Sequence, residues 1–164
     1  MSEHACVRIG TVDDLRAVGQ LWHELNDYHH TVGLNFPADD SVVAEWISSF
    51  ERTLGRFSFL WVAEQESVVR GFLLGRLKRT PAYLGGVMVG EISDLYVGED
   101  LRGQGIGRQL VDAAIEKFKE LNVHSIEVQI MTQNITGLAF WNSLGFQNNV
   151  ILVRRMLKPD TDNA

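Results

Sequence analysis

Cysteine is nearly absent from this chain, with Cys6 the single example in 164 residues. A lone thiol forms no intrachain disulfide and no thiolate metal cluster. That frugality suits a reducing cytoplasm, which is the expected location. Long apolar runs are missing too. No stretch approaches the roughly 20 residues of a membrane helix, and Met1 to Cys6, with Glu3 and His4, does not read as a secretion signal. Positive charge is scarce: 15 Lys and Arg stand against 21 Asp and Glu, a net charge of -6. Phosphate neutralisation needs clustered cations, so neither nucleic acid nor a membrane surface is an expected partner. There is no internal repeat and no low-complexity segment.

What is present belongs to an ordinary globular protein, 45% hydrophobic and 22% charged. The length supports one hydrophobic core, hence a single domain over 1–164 with its core at about 5–157. Ala5 to Ile9 reads as a strand. Thr11 then offers a helix cap, followed by Leu15, Val18, Leu21, Trp22 and Leu25 at helical spacing. Asp40 or Ser41 can cap a second helix with Val42, Val43, Trp46, Ile47 and Phe50 on its apolar face. The period then changes. Phe57–Ala63, Val68–Leu77 and Val87–Val97 read as a three-strand meander, the first two joined by a turn at Glu64–Ser67. Gly105–Leu121 carries the clearest helical stripe. Ser125–Met131 reads as a strand, Ile135–Leu144 as a short helix closed by Gly145, and Val150–Leu157 as a final strand. This order describes a mixed sheet with helices on its faces.

The segment with chemical content runs from Asp94 to Arg108, strand to turn to helix, with Gly103, Gly105 and Gly107 at alternate positions. A helix start leaves amides without partners and carries partial positive charge. Glycines remove the Cβ atoms that would block a phosphate from those amides. Two rival phosphate motifs fail on residues. A dinucleotide fingerprint begun at Gly103 would end on Arg108 instead of glycine. A P-loop begun at Gly98 would have Gln104 where lysine is required.

The segment resembles the signature of the GNAT superfamily of acetyl-CoA-dependent N-acetyltransferases: Arg or Gln, two residues, Gly, one residue, Gly or Ala. Here those positions are Arg102, Gly105 and Gly107, five residues after Val97 ends its strand. A downstream element agrees: Asn134, Ala139, Phe140-Trp141 and Gly145-Phe146. The order of elements matches from Ala5 to Leu157. The resemblance implies an α/β fold, specifically a mixed, mostly antiparallel central sheet with helices on both faces, splayed at the strand before the turn. It implies that Arg102, Gly103, Gln104, Gly105, Ile106, Gly107 and Arg108 hold the pyrophosphate of acetyl-CoA. Pantetheine would lie as a pseudo-strand along Leu95, Tyr96 and Val97, with Asn134 and Phe140 beside it. The Leu95 N–H, or next Tyr96 or Val97, would polarise the thioester carbonyl. Asn134 also suits a helix cap, and Phe140 suits the core.

An aliphatic ammonium has a pKa near 10.4 and no lone pair at neutral pH, so acyl transfer to it needs a base. Glu91, six residues before Val97, matches the catalytic glutamate of the histone-acetylating branch. Its apolar neighbours would raise its pKa. Asp94 is the second candidate, as base or amine-binding carboxylate. Simple alternation places Ser93, not Asp94, on the face of Glu91, and a bulge would reverse that parity. Trp141 departs from the pattern. Many family members carry tyrosine there as an acid, and an indole cannot replace it. Tyr96, Tyr83 or water would then assist the thiolate, which with a thiol pKa near 8.5 leaves without full protonation.

His23, His29 and His30, with Trp22, Tyr28 and Phe36, would approach the acceptor pocket, and Asp27, Asp39, Asp40 and Glu45 tint that side negative. The histidines have no metal-ligand spacing, so no metal is expected. The leading expectation is acetyl transfer from acetyl-CoA to a primary amine of a small molecule, protein or peptide, by direct attack in a ternary complex. The alternatives are a non-catalytic acyl-CoA-binding or sensing module, and a transferase of another acyl group. Family likeness also implies a homodimer through the C-terminal strands.

Overall fold

The computed structural model describes residues 4–34, 36 and 42–157. Its elements are β1 (Cys6–Ile9), α1 (Leu15–Thr31), α2 (Val42–Glu51), β2 (Ser58–Gln65), β3 (Val68–Arg79), β4 (Met88–Val97), α3 (Ile106–Glu120), β5 (Ser125–Val128) and α4 (Ile135–Ser143). The sheet runs in chain order β1-β2-β3-β4-β5. Its first three pairings are antiparallel and β4–β5 is parallel. Parallel strands need a crossover, and α3 supplies it. Among the described residues no helix is long and apolar enough to cross a membrane.

Local chemistry accounts for the joints. Glu66 and Ser67 both take positive φ, 50° and 61°, the requirement of a two-residue hairpin whose twist matches its strands. Ahead of α1, one 3-10 turn spans Val12–Asp14. There the Thr11 N–H donates to Asp14 Oδ2 at 2.8 Å, and the Arg8 guanidinium grips both oxygens of the same carboxylate at 2.9 and 2.8 Å. Those hydrogen bonds from Arg8 hold the Asp14 carboxyl below its ordinary range.

Strand alternation divides the core in two. Leu73 and Ile92 face α3, joining Leu110, Val111, Ala114 and Phe118. Phe72, Leu74 and Tyr96 face α1 and α2, joining Leu15, Val18, Leu25 and Phe50. Phe118 sits in a slot made by two glycines. A Cβ added at Gly90 would lie 2.8 Å from its ring, and one at Gly75 2.9 Å.

Two irregularities of β4 set up the functional region. Leu74 pairs with Asp94 and Gly75 with Ile92, so Ser93 is an extra residue without a partner, a β-bulge. In addition, β5 pairs only with Val89 to Ile92. Among the described residues, β4 from Ser93 to Val97 has β3 on one side and no strand on the other. The sheet is therefore open before the glycine-rich turn.

The C-terminal expectation is corrected. Residues 150–157 form no strand, and the side chains of Val150, Ile151, Leu152 and Val153 are 84%, 85%, 72% and 85% exposed. Apolar composition makes a strand only where a sheet edge receives it, and here none does. Likewise β5 ends at Val128 instead of Met131. The capping expected of Asp40 or Ser41, and the place of Asp39, lie outside the described residues.

Candidate active site

The turn after β4 is built for close approach by an anion. Gly103 and Gly105 have φ of 75° and 80°, left-handed values that L-residues adopt at a cost. A Cβ built on either would meet nothing within 4 Å, so the space above the turn is open. The first α3 ladder bond runs from the Gln109 N–H to the Gly105 carbonyl, at 3.1 Å. The amides of Ile106, Gly107 and Arg108 thus precede the ladder and face the helix's positive end. Gly107 is needed for another reason: its Cβ would stand 3.3 Å from the Phe140 ring, so α3 and α4 meet there. Gln104 braces the turn, its Nε2 donating to the Asp100 carbonyl at 2.8 Å. Arg102 folds back and donates from Nε to the Val97 carbonyl at 2.9 Å, with its guanidinium 5.6 Å from the Tyr96 ring centre. Arg108 is exposed on the first turn of α3.

The open stretch of β4 adjoins this turn. The Gly98 N–H donates to the Arg70 carbonyl on β3. Antiparallel alternation then turns the main-chain groups of Tyr96 and Asp94 toward β3, and those of Leu95 and Val97 into the gap. The Val97 carbonyl already serves Arg102, which leaves the Leu95 N–H and carbonyl and the Val97 N–H open to an extended ligand. Tyr96 N–H, the second expected donor, points the other way.

Across the gap, Asn134 caps α4, its Oδ1 accepting from the Gly137 N–H at 2.9 Å. The same oxygen accepts the Tyr28 hydroxyl at 3.0 Å. This contact joins the C-terminal part of α1 to the start of α4. Trp141 is 6% exposed and packs edge-on against Phe140 and Phe146, so its role is packing.

The bulge at Ser93 reverses parity, so Glu91 and Asp94 share the α1/α2 face. Their surroundings differ. Glu91 makes a short ion pair with Arg76, its cross-strand partner. Among the described residues Asp94 has no such cation at contact distance; it accepts from Trp22 Nε1 at 3.0 Å and from Ser93 Oγ at 2.7 Å. Loss of water pushes its carboxyl above the ordinary range, against the pull of those two hydrogen bonds. His29 is half-buried in the same field, and burial lowers its pKa. Tyr96 donates to Glu24 Oε2 at 2.5 Å, and burial together with that carboxylate pushes the phenol up to about 12. Tyr83 is 85% exposed in the loop before β4. Arg76 and Glu24 were not singled out in the sequence. Cross-strand register would have found Arg76, but a contact from mid-α1 to β4 leaves no local signal.

A strand opened on one side beside an amide-lined turn is the architecture of a protein that binds an extended ligand with an anionic end. The comparisons agree with that class. The family model for the acetyltransferase (GNAT) family matches residues 19–146. The chain belongs to that family. It is 30% identical over 69 residues to the Escherichia coli ribosomal protein bS18-alanine N-acetyltransferase, a stretch covering 42% of this chain and 45% of that enzyme. The matched stretch spans less than half the length of the curated relatives. A mutant of the BH1408 protein from Bacillus halodurans superposes with TM-score 0.81 at 27% identity, over 93% of this chain and 99% of that one. A predicted acetyltransferase from Clostridium acetobutylicum, solved with acetyl-CoA, has the same fold: TM-score 0.76 at 21% identity, over 94% and 97% of the two chains.

Proposed function

We propose that this single-domain protein, acting in the cytoplasm, transfers an acetyl group from acetyl-CoA to a primary amine by direct attack. The observation that carries the reading is the conjunction on β4: open main-chain groups at Leu95 and Val97, an open glycine turn after them, and Asp94 just before them. Acetyl-CoA would supply the activated acyl carbon. The amides of Ile106, Gly107 and Arg108 would hold its pyrophosphate, with Gly103 and Gly105 giving access. Leu95 and Val97 would align the pantetheine arm, with Asn134 and Phe140 on its far side.

Asp94 is the base in this reading. It has the raised proton affinity that base catalysis near neutral pH uses, whereas the carboxylate of Glu91 is engaged by Arg76. The ammonium gives one proton to Asp94, and the amine so formed attacks the acyl carbon through its lone pair, forming the C–N bond; the second proton leaves nitrogen as the tetrahedral intermediate collapses and passes to the departing sulfur or to water. The Leu95 N–H stabilises the oxyanion, a contact worth about 3 kcal/mol in enzymes of this kind. The C–S bond then breaks with its electron pair on sulfur. Trp141 is no acid and Tyr96 is tied to Glu24. The thiolate therefore leaves without a protein proton, as its low basicity allows.

The acceptor is a small-molecule amine or the amine of a protein or peptide. The E. coli relative, whose name gives a ribosomal-protein alanine as its substrate, makes peptide N-termini the first to try. The test is a panel of amines and peptides mixed with acetyl-CoA and scored by free thiol. At least one acceptor should release CoA well above background, and Asp94→Asn should lower kcat by about 10²-fold or more. Glu91→Gln should cost less. Equal activity of Asp94→Asn and the parent would remove Asp94 as base. Tight acetyl-CoA binding with no acceptor in the panel would favour a sensing module, and turnover only with longer thioesters would change the acyl group.

A further inference from the structure

The bulge on β4 leaves Ser93 outside the ladder, and its side chain has two acceptors for one hydrogen. Ser93 Oγ stands 2.7 Å from Asp94 Oδ2 and 3.4 Å from the Leu74 carbonyl oxygen. A hydroxyl carries a single hydrogen and two lone pairs, so it donates well to one of them at a time and can also accept. The other partner of Asp94 differs in kind. Trp22 Nε1 stands 3.0 Å from Oδ1, and an indole N–H donates and never accepts. Each carboxylate oxygen thus has its own partner, one that can reverse and one that cannot.

Trp22 is held in place from α2. Its ring stacks on Trp46, centres 5.5 Å apart with 28° between planes, and Trp46 packs on Phe50 at 4.9 Å. Base chemistry changes what Asp94 offers to these neighbours. An ionised carboxylate only accepts; a protonated carboxyl keeps one good acceptor, its carbonyl oxygen, and gains an O–H donor. A proton placed on Oδ1 would face the Trp22 hydrogen and leave that donor unsatisfied. A proton on Oδ2 meets a hydroxyl that can turn.

We infer that Trp22 and Ser93 are positioning residues that choose the oxygen on which Asp94 takes its proton: Trp22 reserves Oδ1 as an acceptor, and Ser93 reverses its hydrogen bond to hold the proton on Oδ2. In the transfer step an N–H bond of the ammonium breaks and an O–H bond forms on Oδ2. The new O–H turns to Ser93 Oγ, whose own hydrogen swings to the Leu74 carbonyl. Both protonation states then have every hydrogen bond made. Loss of the proton to water restores the carboxylate. The bulge makes this possible, because in a regular strand residue 93 would point to the face opposite Asp94. Burial raises the proton affinity of Asp94, while His29 from α1 and Arg76 from β3 favour the carboxylate. Glu91, on the same strand, is tied to Arg76, and α2 presents the uncharged Trp46 behind Trp22. Those groups set how readily Asp94 binds a proton; the two hydrogen bonds set where.

The two positioning residues leave different signatures. Trp22→Phe keeps the ring and removes a donor that favours only the carboxylate, so the rising limb of kcat/KM against pH should move up by about one pH unit. Ser93 serves both states. Ser93→Ala should move that limb by less than half as much and instead lower the plateau kcat by about 10-fold or more; Ser93→Thr, which keeps the hydroxyl, should restore most of the loss. A limb that moves as far in Ser93→Ala as in Trp22→Phe would make Ser93 a plain donor and overturn the inference, as would a parent-like profile for Trp22→Phe. The assignment rests on Asp94 acting as the base, and a measurement without turnover separates the two. In the proton–nitrogen NMR spectrum of the free protein, the Trp22 indole N–H should shift as Asp94 titrates, and the shift should vanish in Asp94→Asn. A Trp22 indole indifferent to pH would overturn the inference and leave acetyl transfer standing. A titrating indole in a protein whose Asp94→Asn variant transfers like the parent would remove the base, and the two positioning roles with it.

Discussion

At Asp94, burial and hydrogen bonding act in opposite directions. Loss of water disfavours the carboxylate, and the Trp22 and Ser93 donors favour it; burial dominates. A carboxyl whose proton affinity is raised by folding makes the native state bind protons that the unfolded chain has released. Its contribution to stability is therefore best at low pH. It declines as pH rises from the unfolded value through the folded one. Asp94→Asn should consequently melt no lower than the parent at pH 7.5, and up to a few degrees higher, while losing transfer; at pH 4 the two should melt alike. Arg8 and Asp14 give the opposite sign. The Asp14 carboxyl is held low, so its contribution is full at neutral pH and lost as pH falls below the ordinary carboxylate range. Arg8→Met should cost about 1–2 kcal/mol at pH 7, a modest figure because the guanidinium is partly exposed, and much less at pH 3. Thermal melts at the two pH values check both statements. Much of this scale was hidden in the sequence. Glu91 and Asp94 were legible as candidate carboxylates, but their common face depends on the bulge at Ser93. A bulge is set by how β3 and β4 register, and no local run of residues encodes it.

The elements were easier to read than their ends. The stripe of Ile106, Leu110, Val111, Ala114 and Phe118 made α3 plain, because a core-facing helix repeats its apolar positions. The hairpin turn and the meander followed from a change of period. What periodicity missed is why Gly75 and Gly90 are glycine. They are neighbours only in the folded sheet, where together they admit the Phe118 ring. Phe118→Ala should therefore destabilise by about 3–5 kcal/mol, read from denaturant unfolding. In the turn, Gly105→Ala makes no clash but forces a Cβ into φ 80° and into the open nest. Stability should fall by about 1–2 kcal/mol, whereas acetyl-CoA affinity should fall at least 10-fold. A variant that melts lower yet binds acetyl-CoA normally would show the nest to be idle.

Over the whole molecule, charge works against the ligand. A chain of net charge -6 attracts no polyanion at long range, so affinity for CoA must come from short-range amides at one helix end and from strand-like pairing on β4. The order of elements that leads to this arrangement could be read along the sequence from Ala5 to Phe146. It failed at Val150–Leu157, where apolar content was read as a strand of the same sheet. Composition reports that a segment needs cover and does not report which molecule covers it. Because bound ligand adds to stability by mass action, acetyl-CoA at 100 times its Kd should add about 2.7 kcal/mol, a rise of roughly 5–10 °C in Tm for a chain of this size.

Calorimetric titration of acetyl-CoA into the purified full chain tests the central claim most directly. Saturable binding of one ligand per chain, weakened at least 10-fold by Gly105→Ala and left intact by Asp94→Asn, is the expected result. Absence of binding, or binding indifferent to Gly105→Ala, would contradict the assignment of the β4 gap and its glycine turn as the acetyl-CoA site.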